Sequence, residues 1–229
     1  MANITLQIHQ QMAILEIHRP DKAHAYTQQM LHDLDTAWQT LEAQCSVVVL
    51  QSSGDRHFCA GADLTEMKQK RAEDALDLLS QRVFNRMATS HVVSIAAIQG
   101  PAVAGGFELA LACDLRVAHP DAWFGLPEVS LGLIPSAGGC TRLTQLMGQS
   151  IAKSVILGGE RISATHALQW GLVHRVDVQP KENATTWAQK LCQQDPLALR
   201  LAKQVLTAPS LEQERLAESI LYERRHGVD

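Results

Sequence analysis

Two mostly apolar runs that do not alternate, Ser46–Leu50 (Ser-Val-Val-Val-Leu) and Val92–Ile98 (Val-Val-Ser-Ile-Ala-Ala-Ile), constrain the fold of this chain more than any other feature. A strand with one wet face alternates apolar and polar residues, whereas one that is apolar throughout has to be covered on both faces. Crossover helices provide that cover for a mostly parallel sheet. The segments around the two runs fit such a sheet. Ile4–Ile8 and Met12–Ile17 alternate, as the half-buried strands of a hairpin turning near His9–Gln11 would, and Pro20 and Asp21 end the pattern. Thr27 is placed to cap a helix whose apolar residues Met30, Leu31, Leu34, Trp38 and Leu41 keep helical spacing. A further helix is expected around Asp74–Ala88, another through Phe107–Ala112, and short strands at Leu115–Ala118 and Val173–Val176. Beyond Ala137 helices dominate, near 138–147, 149–157, 163–169, 181–194, 195–207 and 210–224. The expectation is an α/β core over 1–180 followed by a helical C-terminal region over 181–229, in a chain long enough to bury one sizeable core.

Charge and cysteine usage exclude several classes of function. A formal net charge of -4 gives no basic footprint for nucleic acid. Cys45, Cys59, Cys113, Cys140 and Cys192 are scattered, with no CxxC pair, and the histidines form no HExxH, so neither a disulfide framework nor a metal site is expected. No leader pattern and no apolar run of membrane-spanning length occurs, which makes a soluble protein of the reducing cytoplasm the expectation.

Two small-residue turns follow the two apolar runs. Phe58-Cys59-Ala60-Gly61-Ala62-Asp63-Leu64 comes after the first, and Gly100-Pro101-Ala102-Val103-Ala104-Gly105-Gly106 after the second. Glycine lets a backbone approach a ligand and point N–H groups at it, and N–H groups at a helix start are unpaired and suit an anion or a developing oxyanion. Either turn alone reads equally well as a tight strand-to-helix connection. Glu108 stands in an otherwise uncharged, mostly apolar stretch, where a carboxylate needs a partner, a raised pKa or a task. Glu128, after Phe124-Gly125-Leu126-Pro127, is by itself more easily a first-turn glutamate. Asp114 reads as a structural hydrogen-bonding residue.

At Phe58–Leu64 (FCAGADL), Ile98–Leu115 (IQGPAVAGGFELALACDL), Phe124–Leu143 (FGLPEVSLGLIPSAGGCTRL) and Gly158–Val173 (GGERISATHALQWGLV) the chain resembles the enoyl-CoA hydratase/isomerase (crotonase) superfamily. The resemblance implies a ββα spiral core with a helical C-terminal region, shortened here at the C-terminus. It implies that the N–H groups of Ala62 and Gly105 form an oxyanion hole for a thioester carbonyl. Glu108 and Glu128, 20 residues apart, match the two glutamates with which hydratases add water across a trans-2-enoyl-CoA double bond. Lys22, Ala23, Ala25, Ala60, Asp63 and Leu64 correspond to the strip that binds the CoA part of the substrate, with Lys68 and Lys70 as further phosphate partners. Met67, Leu78, Phe84, Leu126 and Leu133 are expected around the acyl group. Two positions depart from the family pattern: His24 stands where asparagine is usual, and Ser136 where a glycine neighbours the catalytic water. No metal and no cofactor beyond substrate CoA is implied, and the assembly implied is a homotrimer or a dimer of trimers. A Δ3,Δ2-enoyl-CoA isomerase, a dehydratase of carrier-protein-bound acyl groups and an idle CoA-binding scaffold are the competing expectations.

Overall fold

A computed structural model describes residues 3–69 and 71–226 of the chain; Lys70, one of the expected phosphate partners, lies outside them. The principal sheet has the order β1 (Ile4–His9), β2 (Met12–Ile17), β3 (Val47–Ser52), β4 (Val93–Ile98), β6 (Leu115–Ala118), β9 (Arg175–Val176). Only the β1–β2 hairpin is antiparallel; every later neighbour is parallel. The two apolar runs thus become β3 and β4, side by side at the centre, in a mixed α/β architecture.

Burial on both faces follows the two-residue period of the strands. Val48 and Leu50 of β3, with Ala96 and Ile98 of β4, meet one apolar cluster. Its other walls come from α1 (Gln28–Gln44), α3 (Leu79–Thr89) and α4 (Gly105–Ala112). Val47, Val49, Val93, Ile95 and Val117 point the opposite way and meet Ala184 and Ala188 of α7 (Pro180–Leu191). Residue 180, where the sequence suggested a boundary, is therefore the first residue of the helix that closes this second face.

Helix starts follow local chemistry. The Thr27 hydroxyl accepts the Met30 N–H at 3.2 Å, capping α1 as its position suggested. The helix expected from Asp74 begins instead at Leu79: Ala72–Ala75 form only a short 3-10 turn and Leu76 is 91% exposed, so nothing there buries an apolar face. From Leu79 onward Ser80, Val83, Phe84 and Met87 supply that face. The two helices expected at 138–147 and 149–157 form α5 (Gly139–Ile156), broken between them where Gly148 takes φ 74° and ψ 165°. They are followed by α6 (Ala164–Gln169), α7, α8 (Pro196–Thr207) and α9 (Leu211–His226). Asp114 is structural, as expected. Its Oδ2 accepts the Ser94 N–H at 2.7 Å and the Lys203 ammonium at 2.7 Å. Because the same ammonium donates to the Val92 carbonyl at 2.6 Å, α8 is tied to the starts of β4 and β6.

A second sheet, β5 (Ala102–Val103), β7 (Trp123–Gly125) and β8 (Ile162–Ser163), was not anticipated. Strands of two or three residues are too short to show a period, and only pairing across the chain reveals them. This small sheet carries the loop that leads into α4 and the segment that ends at Glu128. Among the described residues no helix is long and apolar enough to cross a membrane, and no three His, Cys, Asp or Glu side chains are grouped to hold a metal ion.

Candidate active site

Three backbone segments lie side by side at the C-terminal ends of β3 and β4. The middle one is 58–63. On one side the Ala60 N–H donates to the Ala23 carbonyl at 3.0 Å, the Tyr26 N–H to the Gly61 carbonyl at 2.8 Å, and the Asp63 N–H to the Tyr26 carbonyl at 2.9 Å. On the other side the Phe58 N–H donates to the Pro101 carbonyl at 3.0 Å and the Val103 N–H to the Cys59 carbonyl at 2.9 Å. The packing is close enough to require glycine twice. A Cβ on Gly61, which has φ +95°, would sit 2.9 Å from the Gly105 nitrogen, and one on Gly106 would sit 2.0 Å from the Cys59 carbonyl oxygen.

These contacts bring the two expected oxyanion donors to neighbouring loops. Hydrogen bonding of Tyr26 to Gly61 and Asp63 leaves the Ala62 N–H pointing away from that ladder. Gly105 opens α4, so its N–H is among the helix's unpaired donors. Among the described residues neither amide has a protein acceptor. Ala104, just before it, is held at φ 51° and ψ -130°, a conformation that costs a side-chain-bearing residue about 1–3 kcal/mol. Its N–H donates to the Gly125 carbonyl of β7 at 2.8 Å, so the small sheet holds the kink that sets the direction of Gly105.

Glu108 follows one turn into α4, a helix that is buried along its whole length, and is itself only 4% exposed. Its Oε1 accepts the Gly139 N–H at the start of α5, at 2.8 Å. Burial lifts the carboxyl from its ordinary 4.5 to about 7; Glu128 adds to the rise, while the Gly139 and Ala137 N–H groups and Arg142 oppose it. Glu128 starts a 3-10 turn after Pro127, is 8% exposed, and is also raised, chiefly by burial. Its Oε2 has no hydrogen-bond partner among the described residues. The Glu128 charge is felt at Glu108, so the two carboxyl groups take up protons as a coupled pair, which suits them to moving protons in both directions.

The other expected residues divide. Asp63 is engaged within the protein, at 2.7 Å from the Arg19 guanidinium and capping α2 (Leu64–Met67) by accepting the Thr65 N–H at 2.8 Å. Arg19 and Thr65 hold its carboxyl down at about 2. Lys22, Ala60 and Leu64 are exposed, and Ala23 and Ala25 half-buried, along one rim of the site. Ser136 is half-buried, and its carbonyl accepts from Gln81 Nε2 at 2.7 Å, which ties the segment before Gly139 to α3. Of the expected acyl neighbours, Phe84 and Leu126 belong to the core, Met67 and Leu78 are half-buried, and Leu133 is 44% exposed.

Sequence reasoning missed Gly139 and Arg142, which act on Glu108 from α5, and Tyr26, whose phenol reaches Gly105. A tyrosine directly after the CoA strip was the visible signal, since only two tyrosines occur in the chain. His24, where the family usually has asparagine, is buried at φ +58°, and its Nδ1 accepts the Arg19 N–H at 3.1 Å.

With this geometry in place, comparison with known proteins is decisive: the model of the enoyl-CoA hydratase/isomerase family matches residues 7–226. The chain belongs to that family. Among its relatives, a short-chain-enoyl-CoA hydratase of Clostridium acetobutylicum is 36% identical over 211 residues, 89% of this chain and 80% of the relative. A 2,3-dehydroadipyl-CoA hydratase of Escherichia coli is 37% identical over 211 residues, 90% of this chain and 82% of the relative. The crystal structure of an enoyl-CoA hydratase from Bacillus anthracis superposes with a TM-score of 0.89 at 34% identity, covering 97% of this chain and 90% of that one. The enoyl-CoA hydratase/isomerase fold implied by the resemblance of the sequence motifs is thus the fold observed.

Proposed function

We propose that this enzyme adds water reversibly across the trans-2 double bond of an enoyl-CoA thioester. The observation that carries the proposal is the pair of buried carboxyl groups, Glu108 and Glu128, both raised by burial, beside two amides without acceptors among the described residues. The Ala62 and Gly105 N–H groups hold the thioester oxygen, which gains negative charge as the β-carbon is attacked; one such donor is worth about 3 kcal/mol to the transition state. Glu108, its Oε1 held by the Gly139 N–H, takes a proton from the water whose oxygen bonds to the β-carbon. Glu128 delivers a proton to the α-carbon through Oε2, which has no partner among the described residues. Dehydration runs the same transfers backwards. The Ser136 segment lies beside the attacking water, and substrate CoA is the only coenzyme required.

Lys22, Ala23, Ala25, Ala60 and Leu64 form the rim along which the CoA part lies. Asp63 serves that rim indirectly, through Arg19. We also propose a homotrimer, single or paired. Exposed Leu157, Trp170, Leu206 and Leu216 are side chains that such contacts would cover, and light scattering tests the assembly. Free Cys45, Cys59, Cys113, Cys140 and Cys192 suit a reducing, cytoplasmic setting.

Crotonyl-CoA is the direct test, followed by loss of the ultraviolet absorbance of the conjugated thioester. Hydration that is lost in both E108Q and E128Q supports the proposal. No hydration by the wild type, with conversion of a 3-enoyl to a 2-enoyl thioester, replaces it with an isomerase.

A further inference from the structure

Tyr26 touches both oxyanion loops, one with its backbone and the other with its side chain. Its N–H donates to the Gly61 carbonyl at 2.8 Å and its carbonyl accepts the Asp63 N–H at 2.9 Å, so Ala62 is carried between two bonds to this one residue. Its buried phenol ends against Gly105. A Cβ built on Gly105 would lie 2.0 Å from the Tyr26 hydroxyl oxygen and 2.8 Å from Cζ, so the phenol occupies the space a side chain at 105 would take. Two residues of α3 hold the ring in that position. Phe84 meets it edge to face, with centroids 5.7 Å apart and planes at 88°, and Ser80 lies beside the hydroxyl and favours its ionised form, against the rise from burial.

We propose that Tyr26 is a positioning residue for the proposed hydratase reaction: it is the strut that sets the distance between the Ala62 and Gly105 N–H groups. The two donors reside on loops separated by more than forty residues, and two N–H groups grip one oxygen only if both lie within about 2.7–3.1 Å of it. A residue whose backbone is bonded on both sides of Ala62 and whose ring is seated against Gly105 fixes that distance directly. Burial and the neighbouring Glu108 and Glu128 hold the Tyr26 pKa well above the ordinary tyrosine value, so the strut stays a neutral phenol.

The expected effects scale with how much of the strut is removed. Y26F keeps the ring and loses the atom nearest Gly105, and should lower kcat about 10-fold with KM within about 2-fold. Y26L removes the reach altogether and should lower kcat on the order of 10²-fold, the loss that about 1 Å of misplacement causes. A readout of the hole itself is the enolate absorbance of bound acetoacetyl-CoA, whose ionised form needs the same two N–H groups. It should weaken in both variants while binding of a saturated acyl-CoA is retained. A steric cycle adds a second measure. G105A should be nearly inactive, and Y26L/G105A should be more active than G105A, because the leucine vacates the space the new methyl needs.

Wild-type kcat and enolate absorbance in Y26F and Y26L overturn the proposal, as does a loss confined to KM or one that simply follows thermal stability. The outcome is separable from that of the hydratase proposal. A wild type that ionises acetoacetyl-CoA but does not hydrate crotonyl-CoA ends the hydratase function and leaves Tyr26 testable by absorbance. A wild type that does hydrate, with unaffected Tyr26 variants, ends the strut alone.

Discussion

Replacing Glu108 by glutamine separates the cost of burying a charge from its use. In the unfolded chain the carboxyl titrates near its ordinary 4.5, and in the folded protein at about 7, mainly because burial penalises the ionised form. Below that window the group is protonated in both states and costs nothing. Within it, the folded protein retains a proton that the unfolded chain has released, so each rise in pH favours unfolding. Above about 7 the group is ionised in both states and the loss of stability is complete. At about 1.4 kcal/mol per pH unit, the loss amounts to roughly 3 kcal/mol. Glutamine carries no charge at any pH and keeps an acceptor oxygen for the Gly139 N–H. E108Q should therefore match the wild type in stability near about pH 4.5 and exceed it by roughly 3 kcal/mol near about pH 8. Urea unfolding at the two pH values measures this, and an unchanged slope assigns the shift in midpoint to stability. The titrating groups other than Glu128, whose ionisation is linked to that of Glu108, are common to both proteins and cancel in the difference. The same substitution should cut hydration of crotonyl-CoA by about 10²–10⁴-fold, the usual worth of a positioned acid or base. A stability difference that is the same at both pH values would refute the burial account of Glu108, whatever happened to activity.

E128Q should also cut hydration by about 10²–10⁴-fold. By removing a neighbouring charge, it should move the pH-dependent stability loss attributed to Glu108 to lower pH, as read from urea midpoints. G106A places a Cβ 2.0 Å from the Cys59 carbonyl oxygen, where only backbone movement can make room. It should cost about 1–3 kcal/mol or more, measured by thermal unfolding, with activity reduced because the same loop carries Ala62. Lys203→Met leaves Asp114 and the Val92 carbonyl without their shared cation, and should cost about 3 kcal/mol in urea unfolding while sparing KM for the thioester.

Most of the fold was legible where a local pattern had a single physical solution. Val47 to Leu50 could be apolar throughout only in a strand covered twice, and Thr27 ahead of Met30 and Leu31 could be read as a cap. The same logic misplaced the start of α3, because Asp74 to Leu76 look helical until the core is known to pass them by. Asp63 illustrates a different limit. The resemblance places it in the strip for the CoA part of the substrate, and only the fold shows that Arg19, 44 positions earlier, is its ion-pair partner.

By itself the sequence determined the parallel sheet, the two glycine turns that end its central strands, and a carboxylate that an apolar helix would have to bury. Each of these is a property of neighbours along the chain, dictated by side-chain period, backbone freedom and desolvation. Tertiary structure alone decided which groups meet. It set the α5 N–H of Gly139 on Glu108 and brought Glu128 close enough to raise it. It held Ala104 in its kink through β7, and it laid the Tyr26 phenol on Gly105. Those contacts join residues tens of positions apart, and no local period encodes the distances on which acid–base chemistry and an oxyanion hole depend.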